Sequence, residues 1–295
     1  MEIQDIEMVS RPLLRLGLPK GRMEEGVNRL LEGAGIDLRA GSRNYRPRLS
    51  IPGFEVKLLK PRSIVEMLLA GTRDLGFAGA DWVAELGADL VELLDTELDP
   101  VRLVAAAPGG FLEGGALPRR PLVIASEYER LTRDWIVAEG LDATFVRSYG
   151  ATEVFPPEDA DCVVDNTATG ATLRANGLVI VAELLRSSTR VFASPAALDD
   201  PLKRDAIERF VLLLRSVVEA RKRVMLEVNV IGADLDRVIE LLPSMGEPTI
   251  ASLHAGAGFA VKAAVPRRAL PQLIPELKAR GATDLVVTPF SQLVQ

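Results

Sequence analysis

Residues 161–178, DCVVDNTATGATLRANGL, carry two carboxylates, three threonines and two glycines, with Asp165 and the small residues in the order an anion-binding loop needs. The apolar run Cys162-Val163-Val164 predicts a strand that ends at Asp165. Asn166-Thr167-Ala168-Thr169-Gly170-Ala171-Thr172 then predicts a loop, and Leu173 to Asn176 a helical start stopped by Gly177. The first N–H groups of a helix lack an intrahelical acceptor, and the helix dipole favours an anion beside them. Gly170 has no Cβ to hold a ligand away, and the hydroxyls of Thr167, Thr169 and Thr172 add donors. Asp165 repels phosphate, so it suits ribose hydroxyls or a metal-bound water. The implied ligand is a sugar phosphate. A plain strand-to-helix turn, with Asp165 or Thr172 as a cap, explains the same pattern without any ligand. The lysine of a GxxxxGK[ST] nucleotide loop is absent.

A second candidate is Lys20-Gly21-Arg22. It follows a predicted strand over residues 13–18 and precedes a helix with apolar positions Met23, Val27, Leu30 and Leu31. Such a turn puts two cations at the carboxyl edge of a parallel sheet, where open α/β sheets bind ligands. Taken alone it reads equally as a solvated basic turn.

These segments together resemble the long-form ATP phosphoribosyltransferases, the first enzymes of histidine biosynthesis. DCVVDNTATGATLRANGL is similar to that family's phosphoribosyl-pyrophosphate loop, and Leu18-Pro19-Lys20-Gly21-Arg22 to its L-P-K-G-R signature. Arg43-Asn44-Tyr45-Arg46-Pro47 resembles its R-x-Y-x-P segment, and Gly150-Ala151-Thr152-Glu153-Val154 its G-x-x-E-V segment. Arg102 matches an arginine of the family. The block from Lys60 to Val65 matches only in part, with Lys60 or Arg62 standing in for the expected cation, and Ala80 stands where Lys or Glu is common. The resemblance runs from Leu13 to about Thr288.

The resemblance implies a glycosyltransferase that condenses ATP with 5-phosphoribosyl 1-pyrophosphate, giving N1-(5-phosphoribosyl)-ATP and pyrophosphate. Thr167, Ala168, Thr169, Gly170, Ala171, Thr172 and Leu173 would hold the sugar phosphate, and Asp165 the ribose or the magnesium shell. Lys20 and Arg22, with Lys60, Arg62 and Arg102, would face the polyphosphates. Glu153 serves either as a ribose or metal contact or as a helix cap. Mg2+ is implied by the charge of pyrophosphate, not by any ligand spacing. Histidine would act as feedback inhibitor near Glu227, Thr249, Ser252 and Leu253. A homo-oligomer, dimer to hexamer, is implied too.

The elements that must position these residues alternate at short intervals. Strands are predicted at 54–60, 74–79, 91–95, 101–107, 121–126 and 143–148, and helices at 63–70 and 127–139, with Asp81 capping a further helix. This alternation predicts a parallel sheet. Residues 108–118, rich in Gly and Pro, read as a crossing into a second lobe; strands at 179–185 and 190–193 return. A long helix over 201–223 precedes a β-α-β-β-α-β order, the ferredoxin-like arrangement. The expected fold is α/β, with a two-lobed core like that of periplasmic binding proteins around a cleft, plus an ACT-like regulatory domain. Lobe I is expected at 1–106 and 186–212, lobe II at 107–185 and the regulatory domain at 213–295.

Composition narrows the alternatives. The chain has 295 residues, is 48% hydrophobic and 26% charged, and has a net charge of −6. That balance opposes a nucleic-acid footprint, so an anionic substrate needs a local cluster of cations. The single Cys162 excludes an internal disulfide and reads as a core residue; the single His254 excludes a multi-histidine metal site and reads as a turn residue. The start, MEIQDIEMVSRP, lacks a signal peptide's basic and apolar regions, which predicts a cytoplasmic protein with no membrane span. The competing readings are a two-lobed small-molecule sensor and a catalytically weakened paralogue.

Overall fold

The computed structural model describes residues 13–39 and 45–294. Residues 1–12, used above to exclude a leader, and Arg43 and Asn44 lie outside the described residues. The chain forms two compact units, one from residues 1–29 and 36–211, the other from 30–35 and 212–295.

The larger unit begins with β1 (Leu14–Pro19), α1 (Glu24–Gly33) and the short pair β2 (Leu38–Arg39) and β3 (Arg48–Leu49). It continues through β4 (Phe54–Leu59), α2 (Pro61–Leu69), β5 (Leu75–Gly79), α3 (Ala80–Glu85) and β6 (Val91–Pro108). Then come β7 (Leu122–Ser126), α4 (Glu129–Ala138), β8 (Ala143–Arg147), β9 (Cys162–Thr167) and α5 (Ala171–Ala175). It closes with β10 (Leu178–Ala193), α6 (Pro195–Asp199) and the start of α7 (Pro201–Lys222).

Among the described residues these strands build an eight-stranded sheet in the order β4-β1-β5-β10-β6-β9-β7-β8. The expected parallel sheet is corrected to a mixed one. The pairs β1–β4, β1–β5, β7–β8 and β7–β9 are parallel, but β10 runs antiparallel to β5 and β6, and β6 antiparallel to β9. The four strand pieces expected at 91–95, 101–107, 179–185 and 190–193 are two continuous strands, β6 and β10. They run side by side through several register shifts and join the two lobes. The polar tract Asp95-Thr96-Glu97-Leu98-Asp99-Pro100 reads as a break in sequence. In the structure it is a bulge, with Glu97 at φ 57° and Asp99 at φ 48°.

The lobes have separate cores. Leu103, Ile124, Tyr128, Cys162 and Val164 pack on one face of the second lobe, and Val104, Ala125, Val163 and Leu173 on the other. Ile64, Val65 and Leu68 of α2 pack with Ala78 and Phe192 in the first. There the side chains leave little room: a Cβ on Gly76 would meet Ile64 Cγ2 at 2.4 Å. The buried Asp74 accepts from Arg15 Nη2 at 2.8 Å and Lys203 Nζ at 2.9 Å.

The smaller unit holds β11 (Arg223–Val230), α8 (Leu235–Ile239), β12 (Thr249–Ser252), β13 (Phe259–Pro266), α9 (Leu270–Ala279) and β14 (Thr283–Pro289). Its sheet order is β12-β13-β11-β14, the ferredoxin-like arrangement. Alternate residues Val224, Leu226, Val228 and Val230 bury one face together with Leu273 and Leu277 of α9. Strand alternation dictates this, since every second side chain points the same way. Helix α8 stops at Ile239, earlier than the expected Leu242. Pro243 favours an extended conformation at the residue before it, which works against a longer helix.

Candidate active site

The loop between β9 and α5 is tighter than the sequence suggests. Strand β9 continues through Asn166 and Thr167, so only residues 168–170 are irregular before α5. Gly170 is the residue before the helix and lies at φ 74°, in the left-handed region that L side chains rarely adopt. Its N–H donates to Thr167 Oγ1 at 2.9 Å, and the Ala171 N–H donates to Thr169 Oγ1 at 3.3 Å. These bonds set the loop's shape and leave the N–H groups of Thr172 and Leu173 without an intrahelical acceptor. Arg174 Nη1 ties the loop back by donating to the Thr169 carbonyl at 3.0 Å.

A pocket opens on this loop, lined by Asp165 to Thr169, by Ala171 to Leu173, and by Glu153 and Arg22. Burial pushes the Asp165 carboxyl up to about 6, and the nearby Glu153 and Glu127 push the same way; the Asn166 N–H and Arg22 oppose them. A carboxylate held uncomfortably in this way is relieved by a ligand that donates hydrogen bonds to it.

A second pocket, in the same unit, is lined by Lys20, Arg22 and Met23 after β1, and by Pro61, Gly79, Asp81 and Trp82. Asp99, Val101 and Asn166 complete it with Ser187, Ser188 and Thr189. Arg22 and Asn166 line both pockets, so the two abut. A buried network fixes Asn166 from behind. Asn166 Nδ2 donates to the Tyr128 hydroxyl at 2.9 Å, which donates to Asp81 Oδ2 at 2.7 Å. Ser187 Oγ donates to the other Asp81 oxygen at 2.8 Å. The Tyr128 ring stacks on Trp82, with centroids 4.6 Å apart. Asp81 is therefore not the expected cap of α3. It lies inside the first turn, and its Oδ1 sits so close to Gly79 that a Cβ there would meet it at 2.1 Å.

The structure brings Lys20, Arg22, Glu153, Asp165, Thr167, Ala168, Thr169, Ala171, Thr172 and Leu173 to the pockets, and Gly170 lies in the same loop without lining either. Three expected cations line neither pocket. Arg102 pairs with Glu183 at 3.1 Å across β6 and β10 and lines neither pocket. Arg62 pairs with Glu66 at 3.0 Å and lies over the Trp82 ring, and the exposed Lys60 precedes α2; neither lines a pocket. Asn166, Tyr128, Trp82, Asp99 and the run 187–189 were not among the expected site residues. No local motif marks them, because five separate segments supply them. Cys162 is buried in the core as expected, its thiol pushed up to about 12 by burial.

In the smaller unit, Glu227 and Thr249 both pair with Lys262 across the sheet, and Lys262 Nζ lies 2.9 Å from Glu227 Oε2. Ser252 and Leu253 lie at the other end of β12, where the Leu253 N–H donates to the Gly258 carbonyl at 2.9 Å. His254 is an exposed turn residue.

The profile of the HisG family, ATP phosphoribosyltransferase, matches residues 60–216, and that of the HisG C-terminal domain matches residues 220–292. The chain belongs to the ATP phosphoribosyltransferase family. An ATP phosphoribosyltransferase of Pelotomaculum thermopropionicum is 36% identical over 286 residues, covering 95% of this chain and 99% of that protein. Another, of Chlorobaculum parvum, is 34% identical over 290 residues, covering 97% and 99%. Among solved structures, the ATP phosphoribosyl transferase (HisG:HisZ) complex from Thermotoga maritima aligns with a TM-score of 0.62 at 27% identity. The alignment covers 70% of this chain and 98% of that one. The protein is thus a phosphoribosyltransferase of the first step of histidine biosynthesis, using ATP and phosphoribosyl pyrophosphate. The sensor and weakened-paralogue readings are not favoured.

Proposed function

We propose that the two abutting pockets divide the two substrates of this reaction. Phosphoribosyl pyrophosphate takes the loop pocket: Thr169, Gly170, Ala171 and Thr172 meet the 5-phosphate, Thr167, Ala168 and Leu173 shape the wall, and Asp165 and Glu153 accept from the ribose hydroxyls. ATP takes the second pocket, with Lys20 and Arg22 on its phosphates. The observation that carries this reading is that Arg22 and Asn166 line both pockets. A nucleotide in one is then adjacent to a sugar in the other.

The chemistry asks little else of the chain. The C1–O bond to pyrophosphate breaks through an oxocarbenium-like state while adenine N1 attacks C1. Orientation and charge placement supply most of such a rate. Lys20 and Arg22 neutralise polyphosphate, and Asp165 faces the ribose, whose ring gains positive charge. Among the described residues no group of three or more His, Cys, Asp or Glu side chains is placed to hold a metal ion. Magnesium binds through one or two carboxylates plus substrate phosphates, and the loop pocket offers two carboxylates, Asp165 and Glu153. Asp165 and Glu153 are the residues that would hold it, and the ion would screen the leaving pyrophosphate.

We assign lobe I to residues 1–106 and 186–212, lobe II to 107–185 and the regulatory domain to 213–295. Histidine is the effector, held near Glu227, Thr249, Ser252 and Leu253. Membership of the family supports a homo-oligomer and a cytoplasmic location. The solved relative is a complex with a second protein. The HisG C-terminal domain at 220–292 supports a chain that works without one. Among the described residues no helix is long and apolar enough to cross a membrane.

The test is to mix the protein with ATP, phosphoribosyl pyrophosphate and magnesium and to follow phosphoribosyl-ATP with and without histidine. Product that falls with histidine supports both sites. Product indifferent to histidine removes the effector assignment, and no product from folded protein removes the catalytic one.

A further inference from the structure

Three consecutive residues of β10 each hold a different carboxylate. Ser187 Oγ donates to Asp81 at 2.8 Å, Ser188 Oγ to Asp95 at 2.8 Å, and Thr189 Oγ1 to Asp99 Oδ2 at 2.9 Å. Their states differ. The second oxygen of Asp81 is taken by Tyr128, and that of Asp95 lies 3.3 Å from Arg190 Nε. Asp99 Oδ1 accepts no hydrogen bond among the described residues.

Of these carboxylates, Asp81 and Asp99 line the nucleotide pocket, so Asp99 alone presents it with an uncommitted acceptor. The backbone is arranged for this at a cost. Glu97 and Asp99 both lie in the left-handed region, which residues other than glycine rarely adopt. Thr96 Oγ1 donating to the Thr189 carbonyl at 2.6 Å helps to hold the bulge. Gly26 in the first turn of α1 leaves space beside the carboxylate: a Cβ there would lie 3.4 Å from Asp99 Oδ2. The pocket therefore holds both cations, Lys20 and Arg22, and a carboxylate with a free oxygen, Asp99. A nucleoside triphosphate has the matching parts: polyphosphate, and a base with an exocyclic amine.

We propose that Asp99 is the specificity-determining residue for the base: its free oxygen accepts from the adenine N6 amine, and its charge stabilises the adenine as N1 is alkylated. This rests on the reading of that pocket as the ATP pocket. In the reaction the N1 lone pair forms the bond to C1, and the C1–O pair leaves with pyrophosphate. The ring then carries a positive charge until an N6 proton passes to solvent. A carboxylate beside N6 favours that charge in the transition state over the neutral ground state. It also disfavours a 6-oxo purine, whose oxygen would face it.

The test is Asp99→Asn, which keeps the Thr189 bond and tolerates left-handed backbone. ATP and inosine triphosphate binding are read by calorimetry, and turnover separately. Inosine triphosphate carries a proton on N1 and serves as a binding probe only. The expected result is an inversion: ATP kcat/KM falls about tenfold or more, the scale of one charge-assisted hydrogen bond, while inosine triphosphate binds several-fold tighter because an amide N–H can donate to O6. The KM for phosphoribosyl pyrophosphate stays unchanged. Parallel changes for the two nucleotides, or none, would overturn the proposal. Asp99→Gly, which relieves the backbone, should lose ATP affinity without becoming less stable; unaltered ATP affinity would overturn the proposal as well. Absence of turnover in the unmodified protein would count against the proposed function instead, since base preference is read from binding.

Discussion

Asp165 should trade stability for binding, and Asp165→Asn separates the two. Its carboxyl titrates at about 6 in the folded protein against an ordinary 3.8, chiefly because burial strips its hydration. A rise of about two pH units is worth about 3 kcal/mol at 1.36 kcal/mol per unit. Partial exposure of the side chain trims this to roughly 1–3 kcal/mol. The sign follows from linkage. A carboxyl with a raised folded value costs nothing when protonated in both states, below about pH 4. The cost grows as pH rises through the window from about 4 to 6, and is complete above it. Removing the charge therefore stabilises the ligand-free protein at neutral pH and not in acid. The asparagine Oδ1 can still accept from the Asn166 N–H, which donates to Asp165 at 2.7 Å, so local geometry is kept.

Denaturant unfolding followed by tryptophan fluorescence reads this cleanly, because both tryptophans, Trp82 and Trp135, lie in the larger unit. At pH 7.5 Asp165→Asn should unfold later by roughly 1–3 kcal/mol, and the gap should close towards pH 4. Phosphoribosyl pyrophosphate affinity should fall by about tenfold or more, since a charged acceptor is lost. A variant less stable at pH 7.5, a gain equal at both pH values, or undiminished binding would refute the reasoning.

Two further predictions use other parts of the larger unit. Gly170→Val should abolish turnover while the far-UV circular dichroism is kept: a Cβ would meet Arg174 Nη1 at 3.0 Å at φ 74°, and near-normal turnover would sink the loop assignment. Asp74→Asn should destabilise the larger unit by about 1–3 kcal/mol in denaturant titration, because it removes the buried charge that the partly exposed Arg15 and Lys203 share. Burial works against the Asp74 carboxylate, but hydrogen bonds from Arg15 and Lys203 outweigh it and hold the group at about 2. In the unmodified protein its stabilisation should thus persist above about pH 4 and fade as pH drops towards 2, which an acid titration of the unfolding midpoint would show.

The loop between β9 and α5 was legible because its parts are consecutive: strand, acid, small residues and helix follow one another within 161–178. Local rules suffice there, and the departure is only that β9 runs two residues further. The ferredoxin-like unit was legible for a similar reason, as each strand alternates and each helix is short and bounded. The second pocket was not. Its walls come from the β1–α1 turn, α2, the β5–α3 junction, β6, β9 and β10, and their meeting depends on pairings across more than 80 residues. The pairing of Arg102 with Glu183 was not legible either, because nothing in sequence shows which acid on a neighbouring strand a guanidinium meets.

The most informative failure is at residues 95–100. Acid, threonine and proline there read as the end of a strand, and local propensity supports that reading. The structure keeps the strand going by placing two non-glycine residues in left-handed backbone and bracing the bulge with the Thr189 hydroxyl on Asp99 and the Thr96 hydroxyl on the Thr189 carbonyl. A fold seldom sustains such a conflict between local preference and global pairing where nothing depends on it. Here the conflict delivers Asp99 to the pocket wall. The position at which the sequence misleads about the strand is thus the one at which the strand does something other than hold the sheet.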